Sequence, residues 1–172
     1  GYEFFGAHLE RRDGVDGYVF RTWAPNAESI SVVGEFNHWN DQANPMQKVE
    51  REIWEAFIPG LQEYDLYKFS VTGANGEAHL KADPYAFHAE TRPGTASKLY
   101  DITGYEWHDK AFRAQRHKEK IGESPMNAYE VHLGSWRRYE NGDSMSYRDL
   151  ADQLVPYVKD LGYNYIELLP VT

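Results

Sequence analysis

Apolar and polar positions alternate with a period of two in several short runs of the first hundred residues. Residues 17–23 (GYVFRTW) are rich in β-branched and aromatic side chains and stop at Ala24-Pro25-Asn26. Residues 29–33 (SISVV) end at Gly34, residues 54–58 (WEAFI) at Pro59-Gly60, and residues 64–72 (YDLYKFSVT) at a Gly-Ala-Asn-Gly turn. Short runs with turn chemistry between them predict a β-sandwich or barrel. No helical period competes in this stretch. Within 64–72, Tyr67, Phe69 and Val71 share one face, while Lys68 and Ser70 point to the other. Lys68 is therefore expected to project outward from a strand whose opposite face is core. The loop EFNHWND sets Trp39 among Asn, His and Asp, where no local period buries it. Two readings stay open: a Trp folded over the sandwich edge, or an exposed aromatic platform with polar neighbours.

The pattern changes after residue 102. Residues 109–120 (DKAFRAQRHKEK) predict a short solvated helix anchored by Phe112. Its basic cluster, Arg113, Arg116, His117, Lys118 and Lys120, reads as a solvated face rather than an anion site. Gly122 to Pro125 mark a domain boundary. Residues 128–133 (AYEVHL) predict a strand, followed by a polar stretch over 134–144. Ser146, with Asp149 three residues on, predicts a helix N-cap. Leu150, Leu154, Tyr157, Val158 and Leu161 recur at helical spacing. Pro156 inside this pattern predicts a kink or a break into two pieces. Gly162 is expected to end the helix, and residues 163–169 (YNYIELL) predict an apolar strand. Strand, helix and strand make a βαβ unit with parallel pairing. Parallel strands need cover on both faces, so this unit is expected to be the opening of a larger domain whose remainder is its packing partner.

Composition narrows the partners. The 172 residues hold 18 Lys and Arg against 27 Asp and Glu, a formal net charge of −9. Neutralising phosphates needs clustered cations, so a nucleic-acid ligand is not expected. A neutral ligand such as a polysaccharide fits better. The chain has no cysteine, hence no disulfide framework or thiolate metal site, and a reducing, cytoplasmic location is expected. No apolar run approaches the ~20 residues that cross a bilayer, so no membrane partner is expected. Since the chain begins at Gly1 without a Met, a cut N-terminus is also expected. Aromatic residues make up 15% of the chain. Their flat apolar faces suit protein cores and the C–H faces of sugars alike.

The runs FRTWAPNAESISVVGEFNHWN, WEAFIPGL, LYKFSV, KADPYAF and RPGTASKLYD together resemble the starch- and glycogen-binding module that precedes the barrel in glycogen branching and debranching enzymes. The same module type occurs in the β subunit of AMP-activated kinase. The resemblance covers residues 15 to 102 and implies an immunoglobulin-like β-sandwich. It implies carbohydrate-binding roles for Trp39, in the FN-x-W turn, and for Lys68, in the Y-K-F strand. The second platform Trp of the kinase-type modules would fall near Glu77 to His79, where this sequence has none, and their Asn after the G-T turn is replaced near Ser97. YEVHLGSWRR and YRDLADQLVPYVKDLGYNYIELLPVT resemble the first strand, first helix and second strand of the catalytic (β/α)8 barrel of bacterial glycogen branching enzymes, within the α-amylase superfamily.

The organisation read from the sequence is thus mainly β. A glucan-binding sandwich occupies 1–102, a linker with a short helix 103–127, and the first βαβ unit of a truncated barrel 128–172. The resemblance implies a parent transferase that cleaves α-1,4-glucan and passes the segment to a 6-hydroxyl through a retaining, covalent glycosyl-enzyme. It places the catalytic carboxylates on later strands, so this chain is expected to be inactive and at most to bind glycogen or another α-1,4-glucan. YEFFGAHL and GSWRR favour a branching enzyme. A debranching or trehalose-releasing relative and a non-catalytic glucan-binding protein are the alternatives. Glu130 and Glu167 read as structural acids, and His132 as a packed or hydrogen-bonded residue. Trp136 and Arg137, with Arg138 beside them, are candidate barrel-rim contacts to substrate. No cluster has metal-ligand spacing, and no cofactor is implied.

Overall fold

The computed structural model describes residues 1–116, 118 and 121–171 and divides them into two compact units, Gly1–Glu106 and Trp107–Thr172. The expected helix over 109–120 is realised as Lys110–Arg116. His117 and Lys120 of the basic cluster lie outside the described residues, as does Thr172.

The first unit contains nine strands. They are β1 (Gly6–Arg12), β2 (Val15–Trp23), β3 (Ala27–Gly34), β4 (Gln47–Lys48), β5 (Ile53–Pro59), β6 (Leu66–Gly73), β7 (Ala78–Lys81), β8 (His88–Ala89) and β9 (Ser97–Lys98). One antiparallel sheet has the order β1-β2-β5-β4. In the other, β6 is flanked on one side by β3 and on the other by β9 and then β7, with β8 outside β9. The expected strands at 17–23, 29–33, 54–58 and 64–72 correspond to β2, β3, β5 and β6. The first strand, β1, was not among the expected ones, although Asp13-Gly14 is a two-residue hairpin signal that could have found it. Both residues have positive φ, 50° and 82°, and join β1 to β2 in register from Arg12↔Val15 to Gly6↔Arg21.

Inward-facing residues of both sheets form one core: Tyr18, Phe20, Trp54 and Ile58 from one, Ile30, Val32, Tyr67 and Phe69 from the other, with Leu99. Phe20 and Tyr67 meet edge to face across the two sheets at 5.1 Å between ring centroids, a favoured geometry for aromatic pairs. The Trp54 indole N–H is satisfied by the Ala24 carbonyl at 3.0 Å. Tyr67 donates to the buried Asp83 carboxyl at 2.7 Å, which also accepts the Tyr85 N–H at 2.8 Å. Burial pushes the Asp83 carboxyl above the usual carboxylate range despite these two hydrogen bonds. The Tyr67 hydroxyl is pushed up as well, first by burial and then by the neighbouring carboxylate.

The outer face of the first sheet carries a closed ring of charge. Arg12 bonds Glu10 at 2.8 Å and Glu55 at 2.9 Å, and Arg21 bonds Glu55 at 2.6 Å and Glu10 at 3.3 Å. The hydrogen bond from Arg12 holds the Glu10 carboxyl below its ordinary range. Burial works against ionisation of Glu55, yet its two arginine partners still hold it low.

Two expectations for this unit change. Ser70, expected to face outward, is buried, because β3 and β7 flank it with Ser31 and Leu80 in register. The strand at 64–72 begins only at Leu66, because Tyr64 adopts φ 74°, which no strand residue can.

The second unit contains α1 (Lys110–Arg116), β10 (Ala128–Val131), α2 (Leu133–Trp136), α3 (Tyr147–Asp160) and β11 (Tyr165–Leu168). Strands β10 and β11 pair in parallel from Ala128↔Tyr165 to Val131↔Leu168, with α3 between them in sequence. Ser146 caps α3 by accepting the Asp149 N–H at 3.2 Å, and its hydroxyl donates to the Asp149 carboxylate at 2.5 Å. These bonds and the Tyr139 hydroxyl hold the Asp149 carboxyl below its ordinary range. At the other end Gly162 (φ 81°) bonds Lys159 O and Tyr163 N bonds Val158 O, the paired bonds of a Schellman close.

Four expectations are corrected here. Of the kink or break expected at Pro156, the break does not occur: helix α3 runs from Tyr147 to Asp160. Pro156 and Asp152 are both exposed, so the carbonyl that loses its donor faces water. Only Leu150, Leu154 and Val158 of the helical stripe are buried, while Tyr157 and Leu161 are exposed. Phe112 does not anchor α1, since it is 64% exposed. The polar stretch after β10 also holds a helical turn, α2, and an Arg138↔Ser144 bridge. Among the described residues, no helix is long and apolar enough to cross a membrane.

Candidate functional site

The turn that presents Trp39 is built around Asn37. Its side-chain oxygen accepts the Gly34 N–H at 3.0 Å, and its amide donates to Val32 O at 2.9 Å and to Asn44 Oδ1 at 2.8 Å. One half-buried amide thus ties both ends of the loop to β3. Glu35–Asn37 form a single 3₁₀ turn, after which His38 and Trp39 adopt φ 54° and 59°. Two successive non-glycine residues in the left-handed region are costly and persist only where the surroundings impose them. Here the bonds His38 N–Glu35 O, 3.1 Å, and Trp39 N–Gly34 O, 2.8 Å, impose them. Gly34 is required by close approach: a Cβ there would lie 2.2 Å from Leu66 O and 2.4 Å from the Phe36 ring.

The result is a Trp39 side chain that is 38% exposed on a rigid turn. Phe36, two residues after Gly34, packs against the core instead. The register Val33↔Lys68 and Gly34↔Tyr67 brings this turn to the strand that carries Lys68. Lys68 is half-buried, and its ammonium donates to Thr95 Oγ1 at 2.7 Å. Thr95, in the RPGT segment, is the polar partner that sequence reasoning left unassigned.

Of the positions compared with the kinase-type modules, Glu77 directly precedes β7 and His79 is exposed on it. Ser97 faces inward, 2% exposed, and accepts the Asp83 N–H at 2.9 Å. Asp83 lies in the KADPYAF run and was not among the candidate site residues. Its signal was an acid before Pro84 in an otherwise apolar context, and it supports the fold beneath Lys68 rather than the surface.

In the second unit, Trp136 ends α2 half-buried, and its indole N–H donates to the Tyr129 hydroxyl at 3.2 Å. The Arg137 guanidinium lies 4.4 Å from the Trp136 ring and 5.5 Å from the Tyr157 ring, and donates to Gln153 Oε1 at 3.1 Å. Both side chains are thereby engaged with α3. Arg138 donates to Gly142 O, and His132 Nδ1 lies 3.0 Å from Ser135 Oγ. Glu130 and Glu167 are register partners in the parallel pair, both exposed. A depression of about 610 Å³ opens beyond the C-terminal ends of the two strands, lined by His132, Gly134, Ser144, Ser146, Tyr147 and Val171 among others. Neither glutamate lines it. Among the described residues, no group of three or more His, Cys, Asp or Glu side chains could hold a metal ion.

Comparison with known proteins places the chain among carbohydrate-active relatives. Residues 4–86 match the family model of carbohydrate-binding module 48 (isoamylase N-terminal domain). Over 171 residues, 99% of the chain, it is 47% identical to the 1,4-alpha-glucan branching enzyme GlgB of Bacillus cytotoxicus and 48% identical to that of Halothermothrix orenii. The match to the Bacillus subtilis enzyme is 43%. The chain spans about a quarter of the length of these curated relatives, 26 to 27%. A solved Salmonella typhimurium structure described as an alpha amylase superposes over 98% of this chain and 25% of its own, with TM-score 0.65 at 21% identity. That likeness concerns the fold alone. Residues 4–86 are thus similar to carbohydrate-binding module 48, in a chain that over 99% of its length is similar to the N-terminal quarter of 1,4-alpha-glucan branching enzymes.

Proposed function

We propose that this chain is the glucan-binding module and the first βαβ unit of the barrel of a 1,4-alpha-glucan branching enzyme. The observation that carries the reading is the identity of 43 to 48% across both units, not the module alone. The parallel pairing of β10 with β11 around α3 is the arrangement with which a (β/α)8 barrel begins. In the parent enzyme, a carboxylate attacks the anomeric carbon of an α-1,4-glucan, and the covalently held segment passes to a 6-hydroxyl of another chain. The 172 residues alone do not perform this transfer. Glu130 and Glu167, register partners across the parallel strands, are exposed and lie outside the depression at the strand ends, which supports a structural role for both.

The role left to the chain is to hold an α-1,4-glucan at Trp39 and Lys68. Trp39 offers a ring face on a rigid turn and Lys68 a hydrogen-bond donor on the neighbouring strand. The fixed turn reduces the ordering cost of binding, although one ring and one ammonium give a small contact, so millimolar affinity is expected. The test is a titration with maltoheptaose followed by tryptophan fluorescence. Binding should be lost in Trp39→Ala with the fold intact by circular dichroism. Failure of the unaltered chain to bind at millimolar maltoheptaose would refute this role. Incubating the full-length enzyme with amylose separates the parent activities: new α-1,6 linkages support branching, and their loss from a branched substrate would point to debranching.

A further inference from the structure

Tyr64, His88 and Tyr100 form a triangle of rings on the first unit that the proposed site does not use. Their centroids lie 5.8 Å apart for Tyr64–His88, 5.9 Å for Tyr64–Tyr100 and 5.5 Å for His88–Tyr100. Tyr64 is 53% exposed, and the other two are half-buried. Tyr64 has φ 74°, in the left-handed region that a bulky residue rarely enters. Its N–H donates to Leu99 O at 2.8 Å, and the Leu99 N–H donates to Asp65 O at 3.0 Å. Leu99 is fully buried, so an exposed ring is pinned to the core through its backbone. Backbone strain of this kind persists only where the surroundings impose it and clusters at ligand-binding positions.

The pleat places this triangle on the same face as Lys68. Leu66, Lys98 and His88 are register neighbours across β6, β9 and β8. Their alternates Tyr67 and Ser97 face the core, so Leu66, Lys98 and His88 face outward, as does Lys68 two residues along β6. The triangle is therefore continuous with the face that carries Lys68, beyond Leu66. His88 Nδ1 lies 2.9 Å from the Ala89 carbonyl. A carbonyl only accepts, so Nδ1 carries the proton, and in the neutral ring Nε2 is an acceptor. The face thus combines aromatic surface with an acceptor at His88 and a cation at Lys98, chemistry suited to a ring with C–H faces and hydroxyl edges.

We infer that Tyr64, His88 and Tyr100 form an extension of the glucan site, occupied by the sugar units of an α-1,4-glucan too long to be covered by Trp39 and Lys68 alone. This rests on the glucan-binding reading of the module. The test compares maltotriose with maltodecaose by isothermal titration calorimetry on the 172-residue chain. Tyr64→Gly suits the left-handed backbone and removes the ring, Tyr64→Phe keeps the ring, and Tyr100→Leu keeps volume without aromatic character. Tyr64→Gly and Tyr100→Leu should each weaken maltodecaose binding about three- to tenfold, the worth of one aromatic contact. Maltotriose affinity should be unchanged, and Tyr64→Phe should bind maltodecaose like the unaltered chain. Unchanged maltodecaose affinity in Tyr64→Gly, with binding still lost in Trp39→Ala, would overturn the extension and leave the primary site standing. An equal loss for both sugars would also overturn it. Absence of binding by the unaltered chain would overturn both readings.

Discussion

Replacing Tyr67 by Phe tests the buried hydrogen bond beneath the candidate site. The ring stays, so the edge-to-face contacts with Phe20 at 5.1 Å and Phe69 at 6.0 Å are kept and no cavity forms. What is lost is the 2.7 Å hydrogen bond to Asp83, whose carboxyl is left with the Tyr85 N–H. A hydrogen bond to a charged group contributes about 1.5–3 kcal/mol, and one between neutral groups about 1 kcal/mol. Tyr67→Phe should therefore cost about 2 kcal/mol at a pH above the raised native pKa of Asp83, where the carboxylate is ionised, and about 1 kcal/mol at a pH below it, where the carboxyl is protonated. The sign follows from linkage. Asp83 has a native pKa raised above its unfolded value, so the native state holds its proton longer. Its contribution to stability is greatest below the unfolded pKa and is lost as pH rises through the native one. The Tyr67 hydrogen bond opposes that shift, so its removal raises the native pKa further and deepens the loss at high pH. Urea unfolding followed through the buried Trp54 at the two pH values measures both costs. A cost below about 0.5 kcal/mol at both would refute the buried hydrogen bond. An equal cost at both would refute the ionised acceptor, and Asp83→Asn should abolish the pH dependence.

Gly34→Ala would force a Cβ to 2.2 Å from Leu66 O, so urea unfolding should show a loss of about 1–3 kcal/mol or more, with weaker glucan binding as the Trp39 turn shifts. Arg21→Met removes one corner of the ion-pair ring. Arg21 is 16% exposed and Glu55 21%, between a surface pair worth under ~1 kcal/mol and a buried one worth ~3–5 kcal/mol when broken. A loss of about 1–2 kcal/mol is expected, along with an upward shift of Glu55 measurable by NMR titration. Ser146→Ala removes the cap of α3 and should lower the stability of the second unit by about 1 kcal/mol in hydrogen exchange.

The four strands read from alternation all appear, because each turns apolar side chains to a single core, although Val19, Val33 and Ser70 on the opposite faces of their strands are buried as well. The shorter strands β4, β7, β8 and β9 were not legible, because two to four residues carry no measurable period; only β9 also depends on a distant partner, pairing Lys98 with Leu66. Tyr64 misled because a distant residue sets its backbone. Its sequence context is strand-like, but the bridge to Leu99 turns its backbone left-handed. Pro156 misled because local propensity counts a lost hydrogen bond without counting where the freed carbonyl points. The exposure of Trp39, left open by the sequence, was settled by Asn37 and the left-handed pair after it. Thr95 stayed hidden because its partner, Lys68, lies 27 residues away.

The ring of Glu10, Arg12, Glu55 and Arg21 has a consequence for how this surface can drift over generations. Each carboxylate answers to two guanidinium groups and each guanidinium to two carboxylates, so the four positions are coupled rather than additive. Any single replacement strands a charge, whereas loss of all four leaves the net charge of the molecule unchanged. Routes that change one corner at a time pass through less stable intermediates. Relatives should therefore keep the set or lack it as a block, and chimaeras that split it between two parents should be less stable than either.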